Sequence, residues 1–498
     1  MSTMYSPHRP LRRVLAGLAG AALTAALAPV AALPASAAPG TTPSPTTSTT
    51  TCLPSSWGAL GDGTHDDTVP IQRAIDDCAA RGGGTVRLTG PDRTWVTGPI
   101  QLRSHITLQI DTGATLRAVD DRSRFTWGFV GYTFNQSAAG NAGVSEALIS
   151  GHGVTDVAIT GGGTIDGQGS QLWWTEAQQA KTDISRYKSA LTFGALAVAI
   201  QADPGHPSAL PASRYAALGA IPTSNGLPRP WVVEFYDAQR VSVSDATVTN
   251  CSMWCLGLRY TTDAAVTGYT VRNPSDAPNT DGVDVVSSDR VRLSRLDIAT
   301  GDDDVAIKSG FPGFPTPAVP ATDISVTDST FGTGHGLSIG SEADNGVLGV
   351  HGSHLSFTGT DNGVRIKSGR DRGSDIGDIA FEHVRMTDVA SPITFTDYYT
   401  GLPKPGVDSG QPVTATTPHI HDVTMRDLQA TGAQKSQLIG LPEAPLQRID
   451  LSGVLLQGTS LELRNVTGAF HGVRVQPVTG SPYVVEEGVD VTGLGAPS

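Results

Sequence analysis

Residues 291–298 read VRLSRLDI, in which two alternating apolar residues are followed by a polar turn and two further apolar residues. The same pattern recurs at residues 241–248, 324–331, 379–386 and 423–428. The second apolar residue of each unit serves as a marker, and the markers Val243, Leu293, Val326, Val350, Phe381 and Met425 are 24 to 50 residues apart, with a weaker repeat near Val266 in the longest interval. This loose period predicts a solenoid whose coils share a core and differ in their loops.

The content of each unit indicates which solenoid this is. Each has several short strands with Gly, Asn and Asp turns and no amphipathic helix, so neighbouring coils must satisfy the backbone hydrogen bonds. We therefore predict an all-β fold, a right-handed single-stranded parallel β-helix, with a β-sandwich as the alternative. The one good helix is predicted over Thr68 to Arg81, ended by Gly82-Gly83-Gly84, and would cap the open N-terminal coil. Its apolar positions are Val69, Ile71, Ile75 and Cys78.

The N-terminal residues are typical of an export signal. Three arginines precede an apolar, Ala-rich run that closes with Ala35-Ser36-Ala37, so residues 1–38 are predicted to be a secretion signal peptide. The pair Arg12-Arg13 leaves ordinary and twin-arginine export both open. Residues 39–51 form a Pro/Thr/Ser-rich linker, and residues 52–498 are predicted to be the β-helix domain. We expect a secreted, soluble monomer that makes no contact with membranes.

Charge and cysteine content narrow the class of protein further. The formal charge is −13, and removal of the three arginines in the signal lowers it to −16, which makes nucleic acid an unsuitable partner. Cys52, Cys78, Cys251 and Cys255 form an even set in an exported chain, and their order suggests an N-terminal pair and a close central pair. Their spacing does not resemble that of a metal site.

Four short clusters place ionisable residues where a structural coil needs only Asn, Ser or Gly. They are Asn279-Thr280-Asp281, Gly301-Asp302-Asp303-Asp304, Gly334-His335-Gly336 and Arg365-Ile366-Lys367. Each alone is typical of a turn or a surface loop. With about 20 to 30 residues per coil, however, all four should stack on one flank, so that carboxylates, a histidine and two cations converge.

These four motifs, in this order, resemble those of the glycoside hydrolase family 28 polygalacturonases. The resemblance extends to Gly58–Thr64, to Gly161–Gly169 with Trp173-Trp174, and to Arg229-Pro230, and it covers roughly residues 56 to 435. It implies a secreted enzyme that hydrolyses α-1,4-galacturonosidic bonds of pectin, with a pectic polysaccharide as substrate and neither a cofactor nor a metal ion.

The resemblance also implies roles for individual residues. Asp302 would be the general acid, Asp281 and Asp303 would hold the attacking water, and His335 would lie beside the acid. Inversion of configuration would follow, with an expected separation of about 6.5 to 9.5 Å between the two working carboxyl groups. Consecutive residues of a strand point to opposite faces, so Asp302 and Asp303 can share a cleft only if the backbone bends there, which Gly301 makes plausible.

Substrate binding is assigned by the same resemblance. Asn279, Arg365 and Lys367 would contact the sugar, the two cations through its carboxylate, although an exposed ion pair with the aspartates is the alternative interpretation. Tyr398 and Tyr399 both fit the position of the remaining tyrosine ligand, and Tyr398 is preferred.

The sequence departs from the family pattern in two places. Asp304 stands where the family commonly has Cys, and we assign it no catalytic role. The second departure is the Pro-rich insertion Phe311 to Pro320, which could form a wall beside the cleft. The long segment Ala180 to Pro228 could close one end of the groove, so endo and exo action both stay open.

Three rival functions have to be weighed. Rhamnogalacturonan and xylogalacturonan are substrates of other family members. A calcium-dependent pectate lyase would use an arginine base, which the histidine and the paired aspartates argue against. A non-catalytic polysaccharide-binding solenoid would have no reason to keep every expected active-site residue.

Overall fold

The computed structural model describes residues 50–125, 147–206, 210–221, 223, 226–310, 317–399 and 401–494. The predicted signal peptide, nearly all of the predicted linker, and residues 311–316 of the Pro-rich insertion lie outside these ranges.

The described chain winds through strands that pair in parallel with strands of the neighbouring coils. One face is a sheet of twelve strands, which we call the groove sheet. Its strands are β5 (Ile100–Gln101), β8 (Ala147–His152), β11 (Trp231–Tyr236), β14 (Leu256–Arg259), β17 (Val283–Val286), β20 (Val305–Ser309), β22 (Leu337–Ala343), β24 (Asn362–Lys367), β26 (Ser391–Thr396), β28 (Ser436–Ile439), β30 (Leu461–Arg464) and β33 (Tyr483–Val485).

The remaining 22 strands form the other faces of the coils. They are β1 (Thr51–Cys52), β2 (Asp62–Asp66), β3 (Gly84–Leu88), β4 (Thr94–Thr97), β6 (Ile106–Ile110), β7 (Thr115–Ala118), β9 (Thr155–Thr160), β10 (Thr164–Asp166), β12 (Gln239–Ser244), β13 (Thr247–Thr249), β15 (Thr262–Thr267), β16 (Thr270–Arg272), β18 (Asp289–Ser294), β19 (Asp297–Ala299), β21 (Ala321–Phe331), β23 (Val347–Thr358), β25 (Asp375–Thr387), β27 (His419–Thr431), β29 (Leu446–Gln457), β31 (Val466–His471), β32 (Arg474–Gln476) and β34 (Val489–Thr492). Parallel pairing between successive coils confirms the predicted β-helix and excludes a β-sandwich, which is built from antiparallel sheets.

The core is a set of columns in which one buried apolar side chain per coil stacks on the next. Val243 pairs with Val266, Val266 with Leu293, and Leu293 with Val326, as the marker series predicts. The marker Val350 was wrong by two residues, because Val326 pairs with Gly352. A Cβ at Gly352 would lie 2.5 Å from the ring of Phe381, so the larger side chain of the next coil fills this position.

The N-terminal cap is helix α1 (Thr68–Ala80), close to the predicted bounds. Ile71, Ile75 and Cys78 are buried as expected, whereas Val69 is exposed and Ala74 takes its place on the packed face. A disulfide joins Cys78 to Cys52 at the start of the first coil, and a second joins Cys251 to Cys255.

The prediction of a single good helix was wrong. Much of the long segment that was expected to close one end of the groove is helical. Four helices lie between β10 and β11, and the end of the second and all of the last two fall within that segment: α2 (Gly169–Leu172), α3 (Trp174–Arg186), α4 (Phe193–Gln201) and α5 (Ala212–Ala216). These helices, which we call the helical insertion, bury a small core of their own that includes Phe193, Leu196 and Tyr215. The polar residues of α3 hid its periodicity, because its packed face is mostly alanine. None of the helices in the described ranges is long and apolar enough to span a membrane.

Candidate active site

The four predicted clusters lie on successive coils of the groove sheet. The residue pairs Val283–Val305, Val305–Leu337 and Leu337–Val364 fix the register of β17, β20, β22 and β24. Because neighbouring parallel strands are about 4.8 Å apart, the segments that enter them lie side by side. The stacking predicted from the spacing of the clusters is therefore present.

Three carboxyl groups meet at the centre of these coils. One oxygen from each of Asp281, Asp302 and Asp303 lies within 4.8 Å of the others. These oxygens lie closer together than the separation of about 6.5 to 9.5 Å expected between the two working carboxyl groups. Asp281 and Asp303 enter strands of adjacent coils, so the strand spacing itself keeps the groups close.

The paired aspartates share the cleft because they precede β20 rather than lie within it. Strand alternation does not apply to the irregular segment at residues 301–304. Gly301 is needed there for close packing, since a Cβ would lie 2.1 Å from the carbonyl oxygen of Ala277.

Asp303 is a buried anion held by two cations. Lys367 Nζ donates a hydrogen bond of 2.7 Å to Asp303 Oδ2, and Arg365 Nη2 and Ser338 Oγ donate to Asp303 Oδ1. Burial alone would raise the pKa of Asp303, yet Lys367 and Arg365 hold that pKa far below its ordinary value. The side chains of Arg365 and Lys367 are only 15% and 7% exposed, so this is not the surface ion pair of the alternative interpretation.

The pKa of Asp281 is shifted in the opposite direction from that of Asp303. Burial, together with the charges of Asp302 and Asp284, raises the pKa of Asp281 well above its ordinary value. Burial also raises the pKa of Asp284 to about 7, although the Lys308 ammonium opposes this rise. Two neighbouring acids, Asp281 and Asp303, thus favour different protonation states at the same pH.

Lys308 was missed by the sequence reasoning. Its Nζ lies 3.2 Å from Asp284 Oδ1, 3.8 Å from Asp281 Oδ2 and 4.6 Å from the centre of the Trp254 ring. The sequence did offer a signal for it, because Lys308 is a lysine within a mostly apolar strand that also contains the core residues Val305 and Ile307 and is buried throughout.

Asp302 is the carboxylate that opens to solvent, with 25% of its side chain exposed. His335 Nε2 lies 3.9 Å from Asp302 Oδ1, which places the histidine beside the acid but beyond hydrogen-bond distance. The other ring nitrogen, Nδ1, lies 2.7 Å from an oxygen of Asp361, a neighbour that the sequence reasoning did not single out. Only the folded loop before β24 brings Asp361 to this position.

Asn279 connects Asp302 to a buried arginine. Asn279 Nδ2 donates to Asp302 Oδ2 at 3.4 Å, and Arg229 Nη2 donates to Asn279 Oδ1 at 2.7 Å. Arg229 is completely buried, and burial lowers its pKa to about 9. Asn279 has a φ of +54°, a left-handed conformation that asparagine tolerates better than most residues. Asn279, predicted to bind substrate, thus contacts the Asp302 carboxylate in this structure.

The preference for Tyr398 was wrong in placement. The Tyr398 hydroxyl donates to Asp408 Oδ2 at 3.0 Å, and the Arg370 guanidinium lies over its ring, so its contacts are with residues outside the predicted clusters. Tyr399 instead places its ring 5.5 Å from Lys367 Nζ and is 46% exposed. The chain turns immediately after β26, so the regular geometry of that strand does not decide which tyrosine of the pair faces the site.

Asp304 lies behind the site. It is buried, one of its oxygens accepts the backbone N–H of Gly336 at 3.0 Å, and burial raises its pKa well above the ordinary value. These contacts join two adjacent coils and leave Asp304 away from the opening.

A pocket of 310 Å³ opens beside Asp302, and Asn279 and His335 also line it. Helix α3 of the helical insertion forms part of the opposite wall. The oxygens of Asp281, Asp302 and Asp303 are close enough to share a metal ion. Lys367 and Arg365, bound to Asp303, oppose a divalent cation at that position. The arrangement is suited to acid–base chemistry on a substrate that carries a negative charge.

Comparisons with known proteins agree with this chemistry. An endo-polygalacturonase of Pectobacterium carotovorum subsp. carotovorum is 28% identical over 361 residues, which cover 70% of this chain and 75% of that protein. A polygalacturonase of Ralstonia nicotianae is 31% identical over 359 residues, covering 67% of this chain and 62% of that protein.

Solved structures share the fold. The exopolygalacturonase of Thermotoga maritima matches with a TM-score of 0.65 and 23% identity, over 86% of this chain and 93% of that chain. The polygalacturonase of Erwinia carotovora ssp. carotovora matches with a TM-score of 0.58 and 24% identity, over 92% of this chain and 98% of that chain.

A family model described as glycosyl hydrolases family 28 matches residues 213–474, which include every clustered acid and cation described above. Since this match covers more than half of the chain, the protein is a member of glycosyl hydrolases family 28.

Proposed function

We propose that this enzyme hydrolyses α-1,4-galacturonosidic bonds of homogalacturonan, the acidic backbone of pectin. The observation that carries the proposal is the pair of buried cations, Arg365 and Lys367, beside three carboxyl groups. A neutral polysaccharide would give these cations nothing to bind, whereas a galacturonate carboxylate can replace Asp303 as their partner or share them with it. The names of the relatives point to the same substrate.

Asp302 is proposed as the general acid. It is the exposed member of the group, and Asn279 donates to one of its oxygens, so it can present a proton to the leaving glycosidic oxygen. His335 and Asn279 position this carboxyl group. Asp281 and Asp303 then hold a water molecule, and this pair of carboxyl groups takes up its proton as the oxygen attacks the anomeric carbon.

Inversion is the proposed stereochemical outcome, although carboxyl groups this close are more typical of retaining enzymes. Neither neighbour of Asp302 is suited to attack carbon directly. Asp303 has both oxygens engaged by donors, and the raised pKa of Asp281 favours its protonated form. Proton NMR of the first products distinguishes the outcomes. Inversion gives the β-anomer first, and an initial α-anomer would identify one of these acids as a nucleophile.

End-directed cleavage is the proposed mode of action. After Tyr399 the chain forms a segment, residues 401–418, that we call the strap. In the groove sheet Lys367 pairs with Thr396, Thr396 with Ile439, and Ile439 with Arg464. Arg464 therefore lies three coils beyond Lys367, about 14 Å along the sheet. Arg464 Nη1 donates to Pro403 O of the strap at 2.9 Å, and the Arg464 side chain is only 2% exposed. The strap therefore covers the floor of the groove at that end.

Secretion is also proposed, directed by the signal peptide at residues 1–38, with residues 39–51 as the linker to the β-helix domain. The two disulfides support it, because such bonds persist in oxidising compartments.

Product analysis on de-esterified polygalacturonate tests the proposal. We expect new reducing ends, no ultraviolet absorbance from an unsaturated product, no loss of activity with a chelator, and one short product throughout the time course. Unsaturated products would identify a lyase, and a ladder of oligomers would identify internal cleavage. No release of reducing ends would contradict the proposed reaction.

A further inference from the structure

The helical insertion contributes side chains to the pocket that contains the proposed acid. Gln178, Lys181 and Ile184 of α3 line the same pocket as Asn279, Asp302 and His335. Gln178 Nε2 donates to the carbonyl oxygen of Asp276 at 3.2 Å, so the helix is bonded to the loop that leads to Asn279. Ala180, one residue before Lys181, is completely buried in the core of the insertion. Helix α3 is thus fixed between its own core and the pocket.

Lys181 differs from the other cations of the site. Arg365 and Lys367 are buried and bound to Asp303, and Arg229 is buried and bound to Asn279. Lys181 is exposed, and within the described ranges it has no acidic side chain in ion-pair contact. It is also the only lysine or arginine among the described residues that line this pocket.

The order of the coils places Lys181 and the buried cations on different sides of Asp302. The pocket draws on the coil of β17, through Ser275 to Asn279, and on the helical insertion, which precedes β11. Arg365 and Lys367 lie on β24, beyond β20 and β22 in the stack. A polysaccharide that crosses Asp302 along the solenoid has one sugar towards β24 and its neighbour in the pocket.

We propose that Lys181 binds the carboxylate of the galacturonate unit on the pocket side of the scissile bond, opposite the unit held by Arg365 and Lys367. This inference rests on the proposed function. The charges in the pocket support it. A sugar carboxylate there lies near Asp302 and Asp276, both of which line the pocket, and a cation offsets that repulsion.

Lys181→Met tests this role, because it keeps the length of the side chain and removes its charge. Lys188→Met is the matched control, since Lys188 is an exposed lysine just beyond the end of α3 and does not line the pocket. Both changes are introduced into the wild type and into the Asp302→Asn variant. Kinetics on de-esterified polygalacturonate and calorimetric binding of trigalacturonate to the Asp302→Asn forms are then measured.

We expect Lys181→Met to raise KM and Kd roughly 3- to 10-fold, as suits a partly enclosed charge pair, with kcat less affected. Lys181→Arg should restore binding, and Lys188→Met should match its parent. If the KM and Kd of Lys181→Met were within twofold of those of Lys188→Met, the inference would be overturned, whatever the activity of the wild type. A wild type that binds trigalacturonate through Lys181 but never cleaves it would contradict the proposed reaction and leave this binding site standing.

Discussion

The floor and the wall of the active site are built in different ways. The floor is the groove sheet, where parallel register stacks Asp303, Arg365 and Lys367 into a buried cluster with little freedom. The wall is the helical insertion, which has its own small core and reaches the site through exposed side chains. The solenoid therefore fixes the groups required for chemistry, while segments between coils can change the choice of substrate without disturbing those groups.

The largest effect on turnover should come from removing the proposed general acid, Asp302, from the floor. Asp302→Asn keeps the shape and loses the proton, so we expect turnover to fall by roughly 10²-fold or more, while binding and fold stay nearly intact. Steady-state kinetics and oligogalacturonate binding measure the two effects. A variant that keeps more than about a tenth of the wild-type turnover would show that Asp302 is not the acid.

The next largest effect should come from the floor cations. Lys367→Ala should lower the rate on polygalacturonate and weaken the preference for free acid over methyl ester, because the ester carries no charge for the ammonium to bind. Arg365→Lys should also be damaging, since a point charge cannot replace the planar fork. Parallel kinetics on de-esterified and highly esterified pectin measure this. Equal preference ratios in the wild type and Lys367→Ala would remove Lys367 from recognition.

The buried Asp284, in strand β17 of the floor, should make the stability of the protein depend on pH. The pKa of Asp284 is raised to about 7, so the native state binds more protons than the unfolded state from about pH 4 to about pH 7. Stability due to this group is present at low pH and is lost as the pH rises through this window, by at most about 4 kcal/mol.

Denaturant titrations of the wild type and Asp284→Asn across this window test that sign. Asp284→Asn should flatten the dependence, whereas Asp490→Asn, at an exposed position near the C-terminus, should leave it unchanged. If the free energy of unfolding changed with pH as steeply in Asp284→Asn as in the wild type, the pH dependence would belong to other groups.

The smallest expected effect concerns the strap. Arg370 donates to Asp408 of the strap at 2.7 Å and to Glu443 at 2.9 Å. Arg370→Ala should loosen this attachment, so that part of the cleavage becomes internal and intermediate oligomers appear beside the short product. Chromatography of early products detects them, and an unchanged profile would mean that the strap does not set the mode of action.

The same division between floor and wall explains what the sequence could predict. Stacking of the clusters follows from spacing alone, and the alternation of Arg365 and Lys367 places both on one face of β24, as found. Positions outside regular register were not predictable in this way. Tyr399, rather than Tyr398, faces Lys367 because the chain turns after β26, and Asp361 meets His335 through a loop. The helical insertion was missed since an alanine-rich packed face gives little periodic signal.

The most direct test of the account is a crystal structure of the Asp302→Asn variant with trigalacturonate. We expect one sugar carboxylate to be bound to Arg365 and Lys367 and the glycosidic oxygen to lie beside residue 302. The neighbouring sugar should lie in the pocket below α3. A trisaccharide with no carboxylate on Arg365 and Lys367, or with its glycosidic bonds away from residue 302, would contradict it.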